Sequence, residues 1–150
     1  MATTPTKYGP ARALPGDQIA ITTNPDTEPF WLAAKDHRLT ACQCASCGHF
    51  RMPPTAYCPI CSSREKAWPD LPGTGTVFSY VVCNKNPKTG EDYVYVPVVV
   101  DIDGAPGARL NANISGVDAD DVRIGMKVRV DWTPIKDGWV LPNFTKDDTA

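Results

Sequence analysis

Two close pairs of cysteines are the feature of this 150-residue chain that speaks most directly of chemistry. Cys44-Ala45-Ser46-Cys47 and Cys58-Pro59-Ile60-Cys61 each read C-x-x-C, and ten residues separate the pairs. A C-x-x-C turn points two sulfurs at one centre, and two such turns supply the four thiolates that a tetrahedral metal takes. Gly48 permits the left-handed turn that follows such a pair, and Pro59 stiffens the second turn. The spacing predicts one structural zinc ion held by Cys44, Cys47, Cys58 and Cys61. The same four thiolates also suit iron, and the spacing does not separate the two metals. Four protein ligands leave the metal no open position, so its expected role is to fold the segment rather than to catalyse.

The remaining chemistry-bearing residues are sparse. Cys42 precedes the first pair and reads as a buried non-ligand. Cys83 ends an apolar stretch with no base beside it, so packing is its expected role. His37 falls near a helix C-terminus, where the dipole favours it, and His49 falls between the cysteine pairs as a space-filling residue. The chain carries no Ser/His/Asp set, no paired-carboxylate motif and no G-x-x-x-x-G-K phosphate loop. No catalytic residue is therefore assigned.

These residues need elements to hold them. Residues 1–25, with Pro5, Pro10, Pro15 and Pro25, read as a flexible or extended arm. Residues 26–37 read as a short helix that Asp26 or Thr27 can cap, with Pro29 in its first turn. Residues 38–70 hold the cysteine pairs, and the short stretch between the pairs suits a β-ribbon of the rubredoxin type. Residues 71–150 turn to β patterning, with strand candidates at 76–83, 93–102, 108–114, 127–132 and 139–144. Asp118 is placed to cap a helical turn between the third and fourth of these. Pro97 marks a bulge or an edge. Five short strands with that turn fit a five-stranded OB-type barrel, and a five-stranded sandwich is the alternative.

Composition narrows the function. Proline reaches 15 of 150 residues, about twice the usual share of roughly 5%, which argues against a helical bundle. The acids are 14 Asp and 3 Glu, a bias toward turns and caps. Net charge is −2 and the pI is about 5.6, which argues against binding nucleic acid by bulk charge. No apolar run approaches the roughly 18–20 residues of a membrane helix, and the first residues have no signal-peptide core, so a cytoplasmic, non-membrane protein is expected. Residues 35–66 carry a net charge of +3, whereas 101–150 carry −3. A basic ribbon on an acidic barrel suits an anionic ligand or an acidic partner surface.

An ordered string of residues carries a family resemblance. It runs Pro29-Phe30-Trp31, Cys44-x-x-Cys47-Gly48, Pro53-Pro54, Cys58-Pro59-x-Cys61, Gly73-Thr74-Gly75-Thr76-Val77-Phe78-Ser79-Tyr80 and Ile124-Gly125-Met126-Lys127-Val128. Across residues 26–145 the chain resembles bacterial and archaeal proteins with a rubredoxin-like zinc ribbon followed by an OB-fold, long catalogued as a domain of unknown function. The resemblance implies a helix, then the ribbon, then the barrel. It also implies a role as the small, non-catalytic subunit of a thiolase-like enzyme acting on acyl-CoA: an acyltransferase or thiolase, or a retro-aldolase. Some members are fused to hydratase domains. The partner would be the thiolase-like or aldolase subunit, in a heterotetramer, with acyl-CoA at the interface. Phe30, Trp31, Arg38, Phe50, Arg51 and Met52 are the candidate residues facing partner or CoA, being aromatics, Met and Arg on small elements. The alternative is a single-stranded nucleic-acid-binding module, with Tyr80, Tyr93 and Tyr95 to stack bases but few cations beside them.

Overall fold

The computed structural model describes residues 7–149, so the first six residues of the expected arm lie outside the described residues. Helix α1 spans Glu28–Lys35, with Pro29 in its first turn, where a missing N–H costs nothing. Neither Asp26 nor Thr27 caps it through a side chain. Instead the Asn24 side-chain oxygen accepts the N–H groups of Asp26 at 2.9 Å and Thr27 at 3.0 Å, an Asx turn that feeds the helix. The helix stops at Lys35, short of the expected residue 37. The N–H of His37 bonds to Ala34 O and that of Arg38 to Ala33 O, both at 3.0 Å, while His37 takes φ 57°. This is a Schellman closure with histidine where glycine is usual. The His37 ring stacks on Trp132, with centroids 5.5 Å apart and planes 9° from parallel.

The ribbon is a three-stranded antiparallel sheet. Strand β1 (Cys42–Cys44) lies between β2 (Phe50–Arg51) and β3 (Lys66–Ala67). Six further strands follow: β4 (Thr74–Tyr80), β5 (Cys83–Lys85), β6 (Asp92–Ile102), β7 (Arg109–Ile114), β8 (Lys127–Pro134) and β9 (Val140–Lys146). Five of them close on themselves in the order β4-β8-β9-β7-β6, with β6 pairing back to β4. All these pairings are antiparallel except β7 with β9. The described residues are thus mainly β, with one α-helix, a cysteine-bearing ribbon and a closed five-stranded barrel of OB type, so the sandwich alternative falls. Closure leaves the barrel no free edges, and alternate residues fill it. Val77, Val96, Val98, Val100, Ile114, Val128 and Phe144 make the buried centre.

The expected strand 76–83 is split in two. Val77 pairs with Val100 and Ser79 with Val99, so Phe78 is an extra residue on β4, a β-bulge. Strand β4 then ends at Tyr80, and β5 begins at Cys83, opposite Tyr95. The bulge lies on β4, not at Pro97, which stands inside β6 opposite Asn113. Gly75 is required by packing. A Cβ there would lie 2.5 Å from both Asp101 O and Val100 Cγ1.

Residues 7–12 run along the barrel, and Gly16–Gln18 form a 3-10 turn. Ala11 N–H bonds to Val117 O at 2.8 Å, Arg12 N–H to Val94 O at 3.0 Å, and Ala11 is buried in the barrel cluster. The Asp120 carboxylate accepts the N–H groups of Lys7, Tyr8 and Gly9. Asp118 supplies no side-chain cap to the following turn. Among the described residues no helix is long and apolar enough to cross a membrane.

Candidate metal centre and adjoining cleft

The sulfurs of Cys44, Cys47, Cys58 and Cys61 all lie within 4.8 Å of one another. Cys44 and Cys61 sulfurs are 3.6 Å apart, as are those of Cys47 and Cys58. A tetrahedron with metal–sulfur bonds of about 2.3 Å has edges of about 3.8 Å, so this set fits one tetrahedral ion.

Two similar turns build it. In the first, Cys44 N–H bonds to His49 O at 2.8 Å and Gly48 N–H to Cys44 O at 2.9 Å. In the second, Cys58 N–H bonds to Ser63 O at 2.9 Å and Ser62 N–H to Cys58 O at 2.9 Å. The hydroxyls of Ser46 and Ser63 meet at 2.9 Å and tie the turns together. The backbone N–H of Cys47 faces the Cys44 sulfur and brings that thiol down to about 6. Around Cys58, desolvation acts against ionisation, but the N–H groups of Cys61 and Ile60 prevail and lower it. Cys47 goes the other way. The His49 N–H lowers it, yet lost hydration and the neighbouring thiols of Cys58, Cys61 and Cys44 push it up to about 12. Metal binding to such a site requires the thiols to ionise and so releases protons.

His49 adds only its backbone to the four-sulfur set. Cys42 is fully buried, outside the set, and burial raises its thiol. Cys83 is half-buried and likewise outside it.

The structure separates the six partner-facing candidates. Phe30 is buried, packed against Leu39 and Ile102, with Trp31 edge-on to it at 5.1 Å. Arg51 is buried too, at 7% exposure, so it is no surface cation. Its Nη2 and Nε donate to Thr55 O at 3.0 and 3.3 Å and hold the loop after β2. The sequence pattern concealed this because only the ribbon's own turn brings that carbonyl round. Phe50 is half-buried against Ala41, Ala105 and Ala108. Arg38 is exposed and paired with Asp70 at 2.7 Å. Phe30, Trp31 and Met52 do meet, in a cleft of about 360 Å³ between α1, the loop after β2 and strand β7. Arg109, Leu110 and Asn111 form its third wall. Sequence reading missed those three because β7 becomes their neighbour only through long-range packing.

The comparisons with known proteins follow the same division of the chain. Residues 31–67 match the model of the ChsH2 rubredoxin-like zinc ribbon domain, and residues 68–133 that of the ChsH2 C-terminal OB-fold domain. A DUF35 domain-containing scaffold protein of Methanocaldococcus jannaschii is 32% identical over 101 residues, covering 66% of this chain and 70% of that protein. The chain belongs to the DUF35 family. A solved structure described as the Ltp2-ChsH2(DUF35) aldolase contains a DUF35-like match with TM-score 0.77 and 33% identity, covering 85% of this chain and 98% of the other. A probable enoyl-CoA hydratase alpha subunit of Thermomonospora curvata is 37% identical over 116 residues. That match takes in 77% of this DUF35 chain, which spans 36% of the relative's length.

Proposed function

We propose that this DUF35 chain is a non-catalytic accessory subunit that binds and supports a thiolase-like acyl-CoA enzyme in the cytoplasm, either an acyltransferase or thiolase or a retro-aldolase. The observation that carries the reading is the likeness, at 33% identity and over 98% of its length, to a chain of the Ltp2-ChsH2(DUF35) aldolase. The hydratase relative supports an acyl-CoA setting. The cleft agrees with it, for it offers apolar walls, a guanidinium and an amide, chemistry suited to binding.

In this reading Cys44, Cys47, Cys58 and Cys61 hold one zinc ion, which cross-links the ribbon and supplies no reaction step. The ribbon and α1 then stand at fixed positions beside the barrel. Trp31 and Met52 present apolar surface to the partner or to the acyl-CoA, and Arg38 and Phe50 stand at its margin. The complex is a heterotetramer of two enzyme subunits and two DUF35 chains. Co-expression with a thiolase-like or aldolase subunit from the same organism, followed by size-exclusion chromatography with light scattering, tests this. Co-elution at equal stoichiometry is expected, and separate elution of the two chains would contradict it.

A further inference from the structure

The arm and the β5–β6 hairpin enclose a second cavity, of about 590 Å³, which shares no lining residue with the cleft beside α1. Its volume falls in the range of small-molecule sites. Two cations line it, Lys7 and Arg12, and both come from the arm. Among the described residues neither side chain is in an ion pair. Asp92 is the one acid in the lining, and its charge is matched by Lys85. The Asp120 carboxylate, outside the lining, is turned to the backbone N–H groups of Lys7, Tyr8 and Gly9.

Both cations are held in place. The Arg12 guanidinium lies over the Tyr93 ring, 4.2 Å from its centre, and the Arg12 N–H bonds to Val94 O at 3.0 Å. The Tyr93 hydroxyl donates to Ala13 O, so ring and arm fix each other. Lys7 Nζ lies over the Tyr8 ring, 4.8 Å from its centre. A guanidinium stacked on a ring keeps its N–H edge free for an anion. Asn84 adds an amide on the hairpin side of the cavity.

We propose that this cavity binds the phosphate group of a small phosphorylated ligand, with the Arg12 fork and the Lys7 ammonium as its donors. A phosphate monoester carries about −1.5 to −2 charges near neutral pH on three acceptor oxygens, which matches a fork plus a point cation. A single carboxylate would leave one of the two cations unmatched. Because both cations sit on the arm, the bound ligand also fastens the arm to the barrel. The site does not rest on the accessory-subunit reading, and its failure leaves that reading untouched.

Calorimetry of the full-length, metal-loaded chain with inorganic pyrophosphate at physiological ionic strength tests the site. Pyrophosphate is expected to bind. Arg12→Ala and Lys7→Ala should each weaken it about tenfold, while Lys88→Ala, outside the cavity, leaves it unchanged. Asp120→Asn separates a built site from bulk attraction. It removes a negative charge, so attraction by charge alone would tighten binding, whereas loss of the arm's anchor weakens it several-fold. Unchanged metal content and circular dichroism establish that the variants fold. Free CoA added to the complex identifies the source of the phosphate. Displacement of pyrophosphate supports the site with the phosphates of CoA as its ligand, and no displacement supports it with a different phosphorylated molecule. Malonate binding as tightly as pyrophosphate would assign the cavity to dicarboxylates and overturn the proposal. So would no binding of pyrophosphate, equal affinity in Arg12→Ala and Lys7→Ala, or tighter binding in Asp120→Asn.

Discussion

Gly48 and Ser62 occupy the same place in the two metal-binding turns. Each stands four residues after the first cysteine of its pair, donates its N–H to that cysteine's carbonyl at 2.9 Å, and has a left-handed φ, 81° and 62° respectively. Only glycine takes that conformation freely; other residues pay about 1 kcal/mol. Ser62→Gly should therefore leave the protein as stable or raise its stability by up to about 1 kcal/mol, and Gly48→Ala should lower it by about 1 kcal/mol. Chemical denaturation of the metal-loaded protein checks both signs.

The metal centre makes a second prediction. Cys44→Ser or Cys61→Ser should drop the metal content from about one ion per chain toward zero and unfold the ribbon, because binding energy here is folding energy. Cys42→Ser and Cys83→Ser should retain the ion, since neither sulfur is in the cluster. Elemental analysis reads the stoichiometry, and it also separates zinc from iron. Retention of a full complement after loss of Cys61 would contradict the assignment.

Packing at Gly75 makes a third. A methyl group there meets Asp101 O and Val100 Cγ1 at 2.5 Å, and backbone cannot give way cheaply. Gly75→Ala should cost about 1–3 kcal/mol, read as a lower thermal midpoint.

The hold of the barrel on the arm should depend on pH. Backbone N–H groups of Tyr8, then of Lys7 and Gly9, keep the Asp120 carboxyl below the usual carboxylate range against the opposing effect of burial. A depressed value means that the contribution is complete above the unfolded pKa near 4 and is lost as pH falls through the lower folded value. The Ala11 and Arg12 amide resonances should therefore shift together below pH 4 in wild type. In Asp120→Asn they should already lie at the detached position at neutral pH.

Much of this architecture was legible because its signals are local. The C-x-x-C spacing and the glycine after the first pair announce the metal turns, and the Val128/Val130/Trp132 alternation announces a barrel strand. What stayed hidden depends on distant partners. Arg51 reads as a surface cation until the ribbon loop brings Thr55 O onto its guanidinium. Phe78 reads as one more strand residue until pairing with β6 makes it the extra one. His37 reads as a helix-dipole residue, but it is the left-handed closing position of α1 and lies on Trp132, almost a hundred residues away. Arg109 and Asn111 sit on a weak strand, and only the docking of α1 and the ribbon makes them the wall of a cleft.

The central claim, that this DUF35 chain supports the chemistry of another subunit, is tested most directly by the turnover of that subunit on its acyl-CoA substrate, with the chain titrated in. The account predicts that the enzyme subunit alone is at least about tenfold less active, and that activity rises to a plateau at one DUF35 chain per enzyme subunit. Turnover that is the same with and without the chain, at every ratio, would contradict it.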